Sequence, residues 1–268
     1  MTEWEQERTY DADAAIPTRK RIGMLVVPDT APDAEIWEWC PQHVSPLITR
    51  LQIPEDGLER YASTDQLIGS DEVIQPATRS FFRSAIFPGT DPDIVILNCT
   101  SASFAGGLEG ERTIRLSILG AGARRALTPS GAVVGALKAV HAETVAVGTP
   151  YGEEPNKALE EFLTQAGFEV LPIPTTQVKD LDRASEAQVR SIAAAAYDKR
   201  AAAMFISCTA LPTRHLLPEL NARYGIPVIS ALQATMWAAL AQIGERVVAP
   251  DHILHLRPWP ENVPLLTV

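Results

Sequence analysis

DIVILNCTSASFAGG (residues 93–107) and AAMFISCTALPTR (residues 202–214) share one design. In each, an uninterrupted apolar run of strand length ends at a cysteine and a threonine, and small residues follow. Such a run, without polar alternation, reads as a strand buried on both faces. A thiol therefore stands where each of two strands gives way to a loop, and Cys99 and Cys208 are 109 positions apart.

Working outward, RIGMLVV (21–27) is a third buried strand, stopped by Pro28, and a helical pattern crosses 33–40 up to Pro41. SPLITRLQI (45–53) and the segment to about 87 carry no decisive period. A helix is expected over 128–140, capped by Thr128 or Ser130, then a strand over 144–150. Residues 153–167 place Leu159, Phe162 and Leu163 on one helical face, with Gly167 as the stop. The expected order continues with a strand at 168–173, a helix at 185–200, a strand at 202–207, a helix at 215–225, a strand at 226–230 and a helix at 231–244. Alternation of this kind gives an α/β fold of parallel sheets flanked by helices. The echo of one half in the other predicts two pseudo-symmetric lobes, residues 20–127 with 235–268 around Cys99, and residues 128–234 around Cys208. Residues 1–19 read as a polar N-terminal arm. Parallel sheets bind ligands beyond the C-terminal ends of their strands, so the cleft between the lobes is the expected site.

The chain has 268 residues, of which 46% are hydrophobic and 21% charged, a globular composition. Its net charge of −10 would repel a phosphate backbone, so nucleic acid is not an expected partner, whereas a small anion can still find a local site. No apolar stretch reaches the length of a membrane span, and the charged start has no apolar core of a secretion signal. Three cysteines form no disulfide framework, and with no C-x2-C and five scattered histidines structural zinc is not expected. The expected location is the cytoplasm, with reduced thiols.

Taken singly, a cysteine at a strand end is as well explained by simple burial. The pair, both at strand ends and both followed by Thr, points instead to chemistry, because amides of a loop entering a helix can lower a thiol pKa or hold an anion. Cys40, in EIWEWCPQH, reads as packing. Cys208 to Arg214 also matches the C-x5-R spacing of cysteine phosphatases, but that loop lacks glycine and Pro212 has no N–H to offer phosphate. No G-x-S-x-G is present for a Ser-His-Asp site, His141 and His215 read as surface or capping residues, and GAGARR (120–125) lacks the strand and spacing of a dinucleotide fingerprint. Thr100, Ser101 and Thr209 fit turns and helix starts on their own account, and Tyr151 fits a partly exposed lid position.

RIGMLVVP (21–28), VILNCTS (95–101), TPYGEEPNKALEEFLTQAGFEV (149–170), VKDLDRAS (178–185) and SCTALPTRHLLPELNARYGIPVISALQATMW (207–237) resemble the aspartate/glutamate racemase superfamily. The similarity is greatest to the branch holding arylmalonate decarboxylase, maleate cis-trans isomerase and the ectoine-utilisation proteins of the EutA type. The resemblance implies that Cys99 and Cys208 are the catalytic pair, Cys99 standing where the decarboxylase has glycine. It implies that Thr100, Ser101, Tyr151 and Thr209 bind a substrate carboxylate or enediolate, beside Pro28 and Asp29. Where the isomerases carry Asn shortly after the first strand's Pro this chain reads Pro28-Asp29-Thr30-Ala31, and Ala210 replaces an Asn usual in the EutA type.

From this resemblance the expected activity is a racemase or isomerase, without metal or organic cofactor, moving protons at the α-carbon of a small carboxylic acid. One thiol would act as base and the other as acid, with a local donor network lowering the pKa of one of them. The alternatives are maleate-type cis-trans isomerisation by thiolate addition, a decarboxylase, or a two-lobe anion-binding protein with inert thiols. The resemblance also implies a homo-oligomer.

Overall fold

The computed structural model describes residues 19–82, 91–261 and 263, so residues 1–18 of the expected arm lie outside it. With elements numbered in chain order, β1 (Lys20–Val26), β2 (Val44–Arg50), β3 (Ile94–Asn98) and β4 (Ala126–Leu127) form one sheet in the order β2-β1-β3-β4. A second sheet contains β5 (Thr144–Gly148), β6 (Glu169–Val170), β7 (Ala203–Ile206) and β8 (Val228–Ser230) in the order β6-β5-β7-β8. Every pairing is parallel. Both sheets run second, first, third, fourth, so the chain follows the same path twice.

That path reverses direction between the first and third strands of each sheet, and a crevice opens at their carboxyl ends. There Val26 pairs with Asn98 and Gly148 with Ile206. Pro28, Asp29 and Cys99 consequently leave one switch point, and Pro150, Tyr151 and Cys208 leave the other.

The alternating faces of β1 and β3 explain their unbroken apolar sequences. Ile22, Met24, Val26, Ile94 and Ile96 belong to the main core, which continues into the second sheet. Leu25, Val95 and Leu97 point the other way, into a separate cluster with Ile74, Ile114 and Ile118. Two helices fill the space between the sheets, α7 (Pro129–Ala139) and α11 (Ala231–Gln242); they pack on each other, and both touch β3 and β8. Residues 231–240 of α11 are all buried, so the helix carries no polar stripe. Caps set both helix starts: the Thr128 hydroxyl accepts from Gly131 N at 3.1 Å, and the Ser230 hydroxyl from Gln233 N at 3.2 Å.

Several elements differ from the sequence reading. The undecided 45–53 region is the edge strand β2, where Pro46 is tolerated because an edge has an unpaired side. The region 57–80 forms three short helices, α2 (Gly57–Arg60), α3 (Thr64–Ile68) and α4 (Asp71–Ser80). The helix α6 (Gly107–Gly120) carries glycine at 107, 110 and 120, which hides its period. The strand expected over 168–173 is reduced to the two residues of β6, because Pro172 and Pro174 lack ladder donors.

Gly148 ends β5 where a Cβ would lie 2.8 Å from Ile192 Cγ2, 3.1 Å from Ile206 Cδ1 and 3.3 Å from Ala196 Cβ. Gly148→Ala is therefore expected to cost about 1–3 kcal/mol by overpacking. Urea unfolding should show a lower midpoint at unchanged slope; an unchanged midpoint would refute this tight fit.

Candidate active site

Cys99 is the N-cap residue of α5 (Thr100–Phe104), with extended backbone at φ −137°. Two serines fix this turn to the start of α7: Ser103 Oγ and Ser130 Oγ are 2.6 Å apart, and Ser130 Oγ donates to the Thr100 carbonyl at 3.3 Å. Phe104, at the end of α5, meets the Tyr151 ring edge-on with centroids 6.0 Å apart. The Cys99 turn of one lobe thereby touches the Tyr151 turn of the other.

Cys208 has a different backbone. Its φ of +85° lies in the left-handed region, which costs a residue with a Cβ about 1–3 kcal/mol. The amides of Ala210 and Leu211, two and three residues further along the turn, and the Tyr151 hydroxyl pull the Cys208 pKa down. Neighbouring bonds hold the conformation. Ser207 N donates to Gly148 O at 2.8 Å, and the Thr209 hydroxyl donates across the lobes to Asn98 O at 3.4 Å.

The structure thus brings together Cys99, Thr100, Ser101, Tyr151, Cys208 and Thr209. Each thiol and the Tyr151 phenol lie within electrostatic reach of one another. Asp29 is half-buried and acts on Cys208, raising its pKa. The Asp29 carboxyl is itself pushed up, by burial first and by Asp182 second. Pro28 is exposed.

Burial dominates the electrostatics. It pushes Cys99 up to about 12, against the pull of the Ala102 amide. It also raises Cys208 despite its three donors, and holds Tyr151 well above the usual phenol range. The expected lowering is not found at either thiol, because desolvation outweighs the donors at both positions.

One further expectation changes. The Ser101 hydroxyl donates to Asp65 Oδ1 at 2.6 Å, while its oxygen stands 3.7 Å from Cys99 Sγ. Ser101 is thus shared between Asp65 and Cys99, and its pull on the thiol is downward but smaller than the upward effects of burial and of Asp65. What Ser101 retains for an anion is its backbone N–H. Arg214 does not face Cys208: its guanidinium lies 4.4 Å from the Trp39 ring centroid, pairs with Glu38 at 3.3 Å and donates to Val248 O at 2.8 Å. This agrees with setting the C-x5-R spacing aside on Pro212 and the absent glycine, since the arginine is engaged by Trp39, Glu38 and Val248.

The site also contains residues that sequence reasoning missed. Asn98 and Ser207 each precede a cysteine and are almost fully buried, 1% and 0% exposed; the Asn98 side-chain polar atoms have no protein partner, and Ser207 has only the Tyr151 hydroxyl near it. Thr100 Oγ1, on a residue 2% exposed, also has no protein partner. Unpaired buried polar atoms are costly and uncommon, and Asn98 and Thr100 beside the two thiols leave hydrogen-bonding capacity that water or a polar ligand can meet. Their signal was visible, since N-C-T and S-C-T both end apolar strands in a polar residue. Asp65 gave none, lying on a short helix in the undecided region. Among the described residues no group of three or more His, Cys, Asp or Glu side chains could hold a metal ion, and no helix is long and apolar enough to cross a membrane.

Asp65 contributes to the elevation of the Cys99 pKa. In a Cys40→Ser, Cys208→Ser background, Asp65→Asn is expected to lower the pH midpoint of Cys99 alkylation by about one unit, as removal of a like charge should. An unmoved midpoint would show that Asp65 does not act on this thiol.

The family model for arylmalonate decarboxylase matches residues 71–252, well over half of the chain. Arylmalonate decarboxylase of Bordetella bronchiseptica is 28% identical over 160 residues, which cover 56% of this chain and 65% of that protein. Maleate isomerase of Nocardia farcinica is 27% identical over 168 residues, 59% of this chain and 67% of that protein. A solved glycine-to-cysteine, cysteine-to-serine mutant of arylmalonate decarboxylase in its liganded form superposes with a TM-score of 0.75 at 23% identity, covering 88% of this chain and 99% of that one. A cysteine-to-serine mutant of the Nocardia farcinica maleate cis-trans isomerase with a covalently bound succinylcysteine intermediate gives 0.70 at 21% identity, covering 87% and 96%. The two parallel sheets flanked by helices agree with the fold of these structures, and the extent of the model match decides the assignment: this chain belongs to the arylmalonate decarboxylase family.

Proposed function

We propose that this protein is an isomerase of a small carboxylic acid in which Cys99 and Cys208 carry the reaction, the leading form being racemisation at the α-carbon. The observation that supports it most is the meeting of two thiols and a phenol, one thiol from each switch point, among unpaired buried polar side chains. A single thiol suffices to protonate a carbanion; two thiols reaching one carbon from opposite sides suit proton removal and return.

In this reading one thiolate takes the α-proton, and the C–H electron pair moves into an enediolate. The opposite thiol then delivers its proton to the other face. The two sulfurs exchange protonation states, so the reverse reaction starts from the opposite arrangement. Backbone N–H groups of Thr100, Ser101 and Thr209, with the Thr100 and Tyr151 hydroxyls, would stabilise the charge that develops on the carboxylate. Cys208 has the larger donor set for the thiolate state, two amides and a phenol. Because both thiols rest above the usual range, turnover should rise with pH through neutrality as the base thiol ionises.

A second reading is cis-trans isomerisation of an unsaturated diacid. A thiolate adds to the alkene, the new single bond rotates, and elimination returns the thiolate with the trans product. Its support is the Nocardia farcinica relative, a maleate isomerase, and the succinylcysteine of the isomerase structure.

The test is incubation in deuterated buffer with chiral amino and hydroxy acids, aryl-substituted propionates and malonates, and maleate, followed by proton NMR and chiral chromatography. Racemisation predicts deuterium at Cα with loss of optical purity, and a fall of at least about 100-fold in both Cys99→Ser and Cys208→Ser. Maleate turning to fumarate supports the second reading. Loss of carbon dioxide from arylmalonates, persisting in Cys99→Ser, would overturn the two-thiol account.

A further inference from the structure

Glu35 lies on α1 (Asp33–Trp39), in the first lobe, remote in sequence from both cysteines. Its carboxylate accepts four hydrogen bonds. Thr213 N donates at 3.0 Å, the Thr213 hydroxyl at 2.9 Å, Arg214 N at 3.1 Å and Trp39 Nε1 at 3.4 Å. Three of these donors belong to the loop that begins at Cys208, in the other lobe. Burial pushes the Glu35 carboxyl up, while the Thr213 and Arg214 donors pull it down.

The Cys208 loop needs such a holder. Its first residue sits at φ +85°, a conformation that persists only where the surroundings over-determine it. The near end is held by Ser207 N on Gly148 O and by the Thr209 hydroxyl on Asn98 O. The far end has Glu35, and Thr213 Oγ1 also lies 2.8 Å from Ser230 Oγ, the cap of α11. Between these two ends lie Ala210 and Leu211, whose amides favour the ionised thiol.

We propose that Glu35 is a positioning residue for Cys208: by accepting the amides of Thr213 and Arg214 across the lobes, it keeps the amides of Ala210 and Leu211 where they favour the ionised form of the reacting thiol. This rests on the reading of Cys208 as a reacting group. A carboxylate suits the role because it is acceptor-only, with lone pairs enough for all four donors. Glutamine of the same shape would turn an N–H2 group toward N–H donors, and the loop would have to move away.

The test is Glu35→Gln against Glu38→Gln. Glu38 is on the same helix and pairs with Arg214 and His215, but it takes no backbone amide of the loop. Two readouts are used. The alkylation rate of Cys208 at fixed pH, in a Cys40→Ser, Cys99→Ser background, needs no turnover and stands even if the proposed reaction is wrong. In the otherwise unaltered protein, kcat and KM are measured on the substrate found above. Glu35→Gln is expected to slow alkylation about tenfold, the value of one unit of thiol pKa, and to lower kcat with little change in KM. Glu38→Gln should leave both within about twofold, as for an exposed ion pair. Equal rates in Glu35→Gln and the parent, faster alkylation from an opened loop, or a loss that appears only in thermal stability would overturn the proposal.

Discussion

The architecture depends on one apolar contact, that of α7 and α11 with each other and with both sheets. Neither sheet can bury its inner face alone, and α11 has no polar side to show to water. Residues 231–240 are all buried, and the inner residues of β1 and β3 share one continuous core with β5, β7 and β8. Burial on this scale, at about 25 cal/mol per Å² of apolar surface, fixes how the two halves face each other. Two cysteine loops from different halves of the chain then meet at one place. The cross-lobe bonds, Thr209 to Asn98 and Thr213 and Arg214 to Glu35, are small terms by comparison, but they set the final geometry.

The same burial creates the chemical problem of the site. A thiol with little access to water resists ionisation, and both thiols here, Cys208 buried and Cys99 half-buried, sit above their ordinary range. The protein answers the two cases differently. Cys208 occupies a strained turn in which two amides and a phenol favour the thiolate. Cys99 has the Ala102 amide and the Ser101 hydroxyl on its side and the like charge of Asp65 against it.

Much of this was legible in the sequence, for definite reasons. Unbroken apolar runs can satisfy only a sheet covered on both faces, so 21–27, 93–98 and 202–207 declared themselves, and strand-end cysteines located the cleft. The cap at Thr128 was readable because its hydroxyl acts locally, on an amide three residues ahead. What stayed hidden depends on distance in the chain. Asp65 reaches Ser101 from 36 residues away, and Glu35 reaches Thr213 from 178. Neither spacing leaves a mark in local pattern. The C-x5-R spacing shows the converse: Cys208 and Arg214 are close in sequence, but the loop between them turns the arginine to Trp39. The pKa direction was also unreadable, because it depends on how much water the fold excludes rather than on which donors are near.

The central claim is that Cys99 and Cys208 address one bound carboxylate from opposite sides. A crystal structure of the Cys208→Ser protein with a small dicarboxylate tests it most directly. The account predicts a ligand lying between Cys99 Sγ and the hydroxyl that the substitution puts in place of the Cys208 thiol, with its carboxylate on the turn at Thr100 and near Tyr151. A dicarboxylate bound elsewhere, or one touching only one of the two positions, would contradict it.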